Sequence, residues 1–252
     1  MEPILFFDCG CAVGTSFYKN YGGSWETAEL LRKMRLYGID KALVYHIAGK
    51  EYDPAVGNGL LADEIKDYPA LYPVWVVMHH HTDEFDEPDA LIKTLKEKNI
   101  KAVRMYPAAH QYKTSAWNCR ELFTALAANK IPLFIDLDQL AWDEIHQLLT
   151  DYPELNLILT GLNYIVDRNI YALFKKFTNL YIETIGYKVN NGIEEICGRF
   201  GAGRLIFGSG MPVFSGSAAV SMIRYARIGE NEKRMIARGN LESLLEGVSY
   251  GH

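Results

Sequence analysis

Short apolar runs of strand length alternate with amphipathic segments from one end of the chain to the other. Eight runs read as strands, over residues 4–8, 41–46, 72–78, 102–106, 133–137, 156–160, 180–184 and 204–207. Most are rich in Val, Ile, Phe or Tyr, which suit a pleated and buried surface. Between them, residues 27–37 place Leu30, Leu31 and Met34 on one helical face, and residues 118–129 do the same with Leu122, Phe123 and Leu126. Further helices are predicted over 143–150, 169–177, 192–200 and about 218–227. Ser24 ahead of the first helix, Pro88 near the start of another, and Gly38, Gly201 and Gly229 at helix ends supply the expected punctuation.

Strict alternation of strand and helix implies an α/β protein with a parallel sheet. Eight such units, with strands apolar on both faces, predict a closed (β/α)8 barrel rather than an open doubly wound sheet. A helical segment over 231–246 follows the eighth unit and is expected to close one barrel end. The 252 residues match the typical length of such a barrel, roughly 250. No Pro/Gly/Ser-rich linker, low-complexity tract or charge block divides them, so a single domain over 1–252 is expected.

Composition narrows the function classes. Hydrophobic residues at 49% and charged residues at 23% support a real core and argue against disorder. A net charge of -5 with mixed signs provides no electrostatic reason to bind nucleic acid or an anionic membrane. No run approaches the ~18 apolar residues of a membrane span. The start, Met1-Glu2-Pro3 with a short apolar stretch behind it, does not read as a signal peptide, and a cytoplasmic protein is expected. The four cysteines, Cys9, Cys11, Cys119 and Cys197, are too few for a disulfide scaffold and are expected reduced. The expected partner is a small-molecule ligand, with homo-oligomer formation left open.

In a barrel of this kind, chemistry sits at the C-terminal ends of the strands. The residues there are Asp8-Cys9-Gly10-Cys11, His46, His79-His80-His81, Tyr106 to His110, Asp136 to Asp138, Gly161 to Asn163, Glu183-Thr184 and Ser209 to Pro212. Five of the seven histidines fall in this set, which marks a functional mouth.

The order of segments resembles the amidohydrolase-related barrel family, which includes metal-dependent hydrolases and related decarboxylases. The matching pieces are Phe7-Asp8 with Gly14, Lys101 to Pro107, Lys130 to Ile135, Pro153 to Leu159, Asn179 to Thr184, Arg204 to Ser209 with Pro212, and Gly239 to Leu245. The resemblance implies a metal held by an opening Asp-x-His-x-His motif, by histidines ending strands five and six, and by an aspartate after strand eight. Here those positions are Gly10, Ala12, Asp136, Gly161 and Gly210. Four of the five have no side-chain donor, and Asp136 alone cannot hold zinc. No cofactor is therefore expected, and metal-water hydrolysis is not supported. With Asp8, Gly10 and Ala12 taken as inward-facing, Cys9 and Cys11 are expected to face the helices as buried thiols. The His79–His81 run offers one or two imidazoles, because adjacent strand residues point opposite ways.

Alternation puts Arg104 and Tyr106 on one strand face, and Asp136 and Asp138 on one face of the next. Arg104 and Asp136 are expected within ion-pair or one-water reach. The pair reads either as a structural filling of the metal's place or as a guanidinium clamp for a substrate carboxylate or phosphate. The loop Ser209 to Ser217, leading into a helix, is an anion-binding candidate, and Phe17, Tyr18, Tyr21 and Trp25 are candidate lid residues.

Two functional classes stay open. One is a hydrolase or carbon–carbon lyase of amidohydrolase type that acts on a small anionic molecule without the usual metal. Asp136 or His46 would serve as general acid/base and Arg104 as electrophilic anchor. Tyr106, His80, His110, Asp138, Asn163, Glu183 and Ser209 would bind substrate. The other is a catalytically inactive barrel that binds a small ligand or a partner protein.

Overall fold

A computed structural model describes residues 3–16 and 26–250. The apolar runs form two parallel sheets. One has the order β1 (Phe7–Val13), β2 (Lys41–His46), β3 (Leu71–Pro73). The other runs β4 (Trp75–Val76), β5 (Val103–Met105), β6 (Leu133–Asp136), β7 (Leu157–Thr160), β8 (Leu180–Glu183), β9 (Leu205–Ile206). β3 and β4 are halves of one barrel strand. β3 pairs with β2, the Val74 N–H donates to the Val44 carbonyl at 2.8 Å, and β4 pairs with β5. At the other seam, the Cys9 N–H donates to the Phe207 carbonyl and the Ala12 N–H to the Met211 carbonyl, both at 2.9 Å. These two joins close the eight strands into a (β/α)8 barrel.

The helices on the outside are α1 (Thr27–Tyr37), α2 (Ala48–Glu51), α3 (Pro54–Ile65), α4 (Pro88–Glu97), α5 (Ala116–Ala128), α6 (Trp142–Asp151), α7 (Asp167–Lys176), α8 (Gly192–Phe200) and α9 (Gly216–Arg224). Among the described residues, no helix is long and apolar enough to cross a membrane. The expected cap Ser24 and the expected lid aromatics Phe17, Tyr18, Tyr21 and Trp25 lie outside the described residues.

The period of two sorts the core into layers. Val44, Val103, Met105, Leu133, Ile135, Leu157 and Leu159 pack under the helices. Phe7, Leu43, Val74, Ala102, Phe134, Ile158 and Ile206 fill the barrel interior. Leu241, Leu244 and Leu245 of the terminal helix α11 (Asn240–Glu246) join that interior cluster. The helix α10 (Glu230–Arg234) and a π-helical stretch over 235–239 precede it, and the Ile236 carbonyl accepts from the Phe207 N–H at 3.1 Å. The terminal segment thus plugs the barrel end opposite the functional mouth. Leu241 is fully buried in the plug, so Leu241→Ala is expected to cost about 2–5 kcal/mol in chemical denaturation.

The first strand differs from expectation. It spans Phe7–Val13 rather than 4–8, and its register slips: Asp8 pairs with Ala42 but Cys11 with Val44. Three residues of β1 therefore face two of β2, a bulge that reverses the side-chain phase. Cys9 shares the phase of Phe7 and lies in the barrel interior, against expectation, while beyond the bulge Cys11 and Val13 lie in the helix-facing layer with Phe6. The Asp8 carboxylate bridges the disturbed seam, its Oδ1 accepting from the N–H groups of Gly10 at 3.0 Å and Ser209 at 2.9 Å.

Candidate active site

The C-terminal ends of the strands surround a cavity of about 890 Å³. Arg104 on β5, Asp136 ending β6, Thr160 ending β7 and Glu183 ending β8 line its buried side, and Lys50 enters from α2. Asp136 and Thr160 are direct partners across the β6–β7 ladder, so their side chains meet. Thr160 Oγ1 donates to Asp136 Oδ1 at 2.5 Å. Arg104 Nη2 donates to Thr160 Oγ1 at 2.8 Å and lies 3.5 Å from Asp136 Oδ1. Lys50 Nζ donates to Asp136 Oδ2 at 3.1 Å. One carboxylate therefore holds two cations.

Aromatic faces support both cations. Lys50 Nζ sits 4.8 Å over the Tyr106 ring, and the Arg104 guanidinium carbon lies 4.9 Å over Tyr45 and 5.7 Å over Phe134. Burial works against the charge on Asp136, but Arg104 and Lys50 outweigh it and hold the carboxyl below its usual range. The same balance raises Lys50: burial opposes its charge and Asp136 more than compensates.

Glu183 stands on the same side and behaves oppositely. It is 3% exposed, and its Oε1 accepts the Ile185 N–H at 2.9 Å. Its carboxyl packs on the backbone of Gly208, where any Cβ would collide with it. Burial, reinforced by the Asp8 carboxylate, pushes Glu183 up to about 8.

The expected site residues divide by place. Arg104, Asp136, Asp138, Asn163 and Glu183 line the cavity. Asp138 does so from an exposed turn, because β6 ends at Asp136 and a 3-10 turn over Leu137–Gln139 follows; it shares no strand face with Asp136. Asn163 Oδ1 accepts the Ile165 N–H at 2.9 Å. Tyr106 is fully buried beneath Lys50 and Arg104.

His46, His110 and Ser209 are not among the lining residues. His46 points toward α3, with Nε2 3.4 Å from Glu64, and its Nδ1 accepts the Ala48 N–H at 3.1 Å. His110 Nε2 bonds the Lys50 carbonyl at 3.0 Å. The two histidines thus hold the ends of the short turn that carries Lys50. Ser209 is fully buried, and its Oγ accepts the Met211 N–H at 3.2 Å, shaping the last loop.

Sequence reasoning missed Lys50, Thr160 and Tyr45. The signal for Lys50 was slight: one cation in the run Ile47-Ala48-Gly49-Lys50 just after a strand end.

His80 is not among the residues that line the cavity. Its Nε2 is 3.2 Å from a carboxylate oxygen of Glu87, just ahead of α4, and 3.2 Å from one of Glu121 on α5. All three ligand-type atoms lie within 4.8 Å of one another.

The amidohydrolase family profile matches residues 40–246. The chain belongs to the amidohydrolase family. No curated protein matches it, but solved structures share its fold along nearly the whole chain. An uncharacterised TIM-barrel protein of Bordetella bronchiseptica is 18% identical, with 97% of this chain and 99% of that one covered and a TM-score of 0.74. A 2,6-dihydroxybenzoate decarboxylase from Rhizobium is 15% identical, with 98% and 99% covered and a TM-score of 0.71. A dihydroxybenzoic acid decarboxylase from a Polaromonas species, with bound manganese and the inhibitor 2-nitroresorcinol, is 15% identical, with 96% of each chain covered and a TM-score of 0.70.

The expectation of a protein with no divalent metal is corrected. The Polaromonas barrel holds manganese, and this amidohydrolase brings His80, Glu87 and Glu121 together as a donor set of borderline and hard ligands. Around Asp136 the residues do not fit an ion, because Lys50, Arg104 and Thr160 already take both carboxylate oxygens. Among the described residues, the group whose donor atoms come close enough together to hold an ion is His80, Glu87 and Glu121.

Proposed function

We propose that this amidohydrolase is a carbon–carbon lyase of the decarboxylase kind, acting on a small organic acid. The observation that carries the reading is the Lys50–Asp136–Arg104 cluster on the buried side of the cavity. Two cations share one carboxylate there, so the cluster keeps one net positive charge. Lys50 has three donor hydrogens and places one on Asp136, which leaves donors for an incoming carboxylate. The walls suit an aromatic or aliphatic body: Tyr45, Leu162, Ile185, Met211 and Phe214 line them. Anion anchorage beside an apolar wall fits the aromatic acids for which the Rhizobium and Polaromonas barrels are named. It favours the lyase reading over hydrolysis and over an inactive barrel.

The reading is tested by titration calorimetry and carbon dioxide release with 2,6-dihydroxybenzoate and benzoate. The wild type is expected to bind at least one acid and release carbon dioxide from it. Lys50→Met should weaken binding about tenfold or more, the worth of a hydrogen bond to a charged group. If neither acid binds, or Lys50→Met binds as well as wild type, the reading fails.

A further inference from the structure

We infer that Glu183 is the proton donor of this cavity, delivering its carboxyl hydrogen to the ligand carbon that loses carbon dioxide. The inference rests on the decarboxylase reading for its chemistry and on separate geometry for its residue.

Among the described residues, the titratable or charged groups that act on Glu183 are Asp8 and Cys9 from β1, Arg104 from β5 and Asp136 from β6. Asp136 is already paired with Arg104 and Lys50. Asp8 is committed to the Gly10 and Ser209 N–H groups, and its Oδ2 is buried without a hydrogen-bond partner. Among the described residues neither carboxyl has an ion-pair partner of its own: Glu183 feels Arg104 only as a guanidinium already paired with Asp136, and Asp8 is held by N–H groups alone. Holding a proton relieves that crowding, and Glu183 is the member of the pair that lines the cavity. The contact with Gly208 fixes the carboxyl against the barrel wall, and the Ile185 N–H occupies Oε1. Glu183 and Asp136 are thus two carboxyls on one wall whose surroundings push their proton affinities apart, the pattern that separates an acid from an ionised partner.

The step balances. The bond between the carboxylate carbon and the ligand body breaks, and its electron pair stays on the ligand carbon. That carbon takes the Glu183 proton, carbon dioxide leaves, and solvent reprotonates Glu183.

Infrared difference spectroscopy across a pH titration, on wild type and Glu183→Gln without ligand, tests the proton. A carboxylic-acid C=O band should be present at neutral pH in the wild type, vanish as the pH rises through about 8, and be missing in the variant. Kinetics with 2,6-dihydroxybenzoate tests the transfer. Glu183→Gln should bind the acid within about twofold of wild type but lose turnover roughly 10²–10⁴-fold, and Glu183→Asp should recover part of it. A wild type without the band, a band that survives in Glu183→Gln, or full turnover by Glu183→Gln each overturns the assignment. A wild type that shows the band but releases no carbon dioxide overturns the donor role through failure of the lyase reading. The band keeps these two failures apart.

Discussion

Replacing Asp136 by alanine is expected to cost about 3–5 kcal/mol of folding stability, the typical cost of leaving a buried charge without its partner. The substitution removes the one carboxylate that Arg104 and Lys50 share, 3.5 and 3.1 Å away. Arg104 is 5% exposed and cannot turn to solvent. Among the described residues it would keep only Thr160 as a polar partner, and it would face a second cation across the gap. Urea denaturation at neutral pH measures the loss. The pH dependence has a definite sign. Because the native carboxyl is held below its usual range, its contribution is complete above that range and fades as the pH falls through the native value. The gap between wild type and Asp136→Ala should therefore close in acid. A cost below about 1 kcal/mol, the scale of a surface ion pair, would mean that the cluster is solvated and does not organise the cavity.

Glu183→Gln is expected to act in the opposite direction. Raising a carboxyl from its usual range to about 8 corresponds to roughly 5 kcal/mol of disfavoured charge. In the unfolded chain the group loses its proton at the ordinary value, whereas the native chain keeps it until about 8. Between those points the native state binds more protons, so wild-type stability falls as the pH rises across that window. Glutamine does not titrate, and its side-chain oxygen can still accept the Ile185 N–H. The variant should match wild type near the lower end of the window and exceed it by roughly 4 kcal/mol at its upper end. Paired denaturation curves at the two pH values check this. A gain of this kind is what a functional group held under electrostatic strain predicts. A constant difference across the window would show that Glu183 is ionised throughout.

The two residues differ in how far they could be read in advance. Arg104 and Asp136 belong to neighbouring strands, and a period of two places both on the inward face. Their meeting was therefore legible, whereas Thr160, which links them, emerged only from the observed pairing of β6 with β7. Glu183 could be placed at a strand end, but not as a neutral acid. That property comes first from burial against the bare Gly208 backbone and then from Asp8, on a strand far away in sequence. His46 and His110 were legible as strand-end histidines, yet each faces away from the cavity and braces the turn that delivers Lys50.

What the amino-acid sequence determined by itself was the periodic part. Eight apolar runs separated by amphipathic helices admit few compact arrangements, and runs apolar on both faces must be covered on both, which leads to the barrel and its terminal plug. The tertiary structure alone decided the phase of β1, because one extra residue at the Asp8–Cys11 bulge leaves composition unchanged while reversing every side chain beyond it. It also decided which charges meet. Lys50 reaches Asp136 from 86 residues away, and Glu87 reaches His80 alongside Glu121 from a different helix. Such contacts depend on strand ends converging in space, and local periodicity carries no record of that distance.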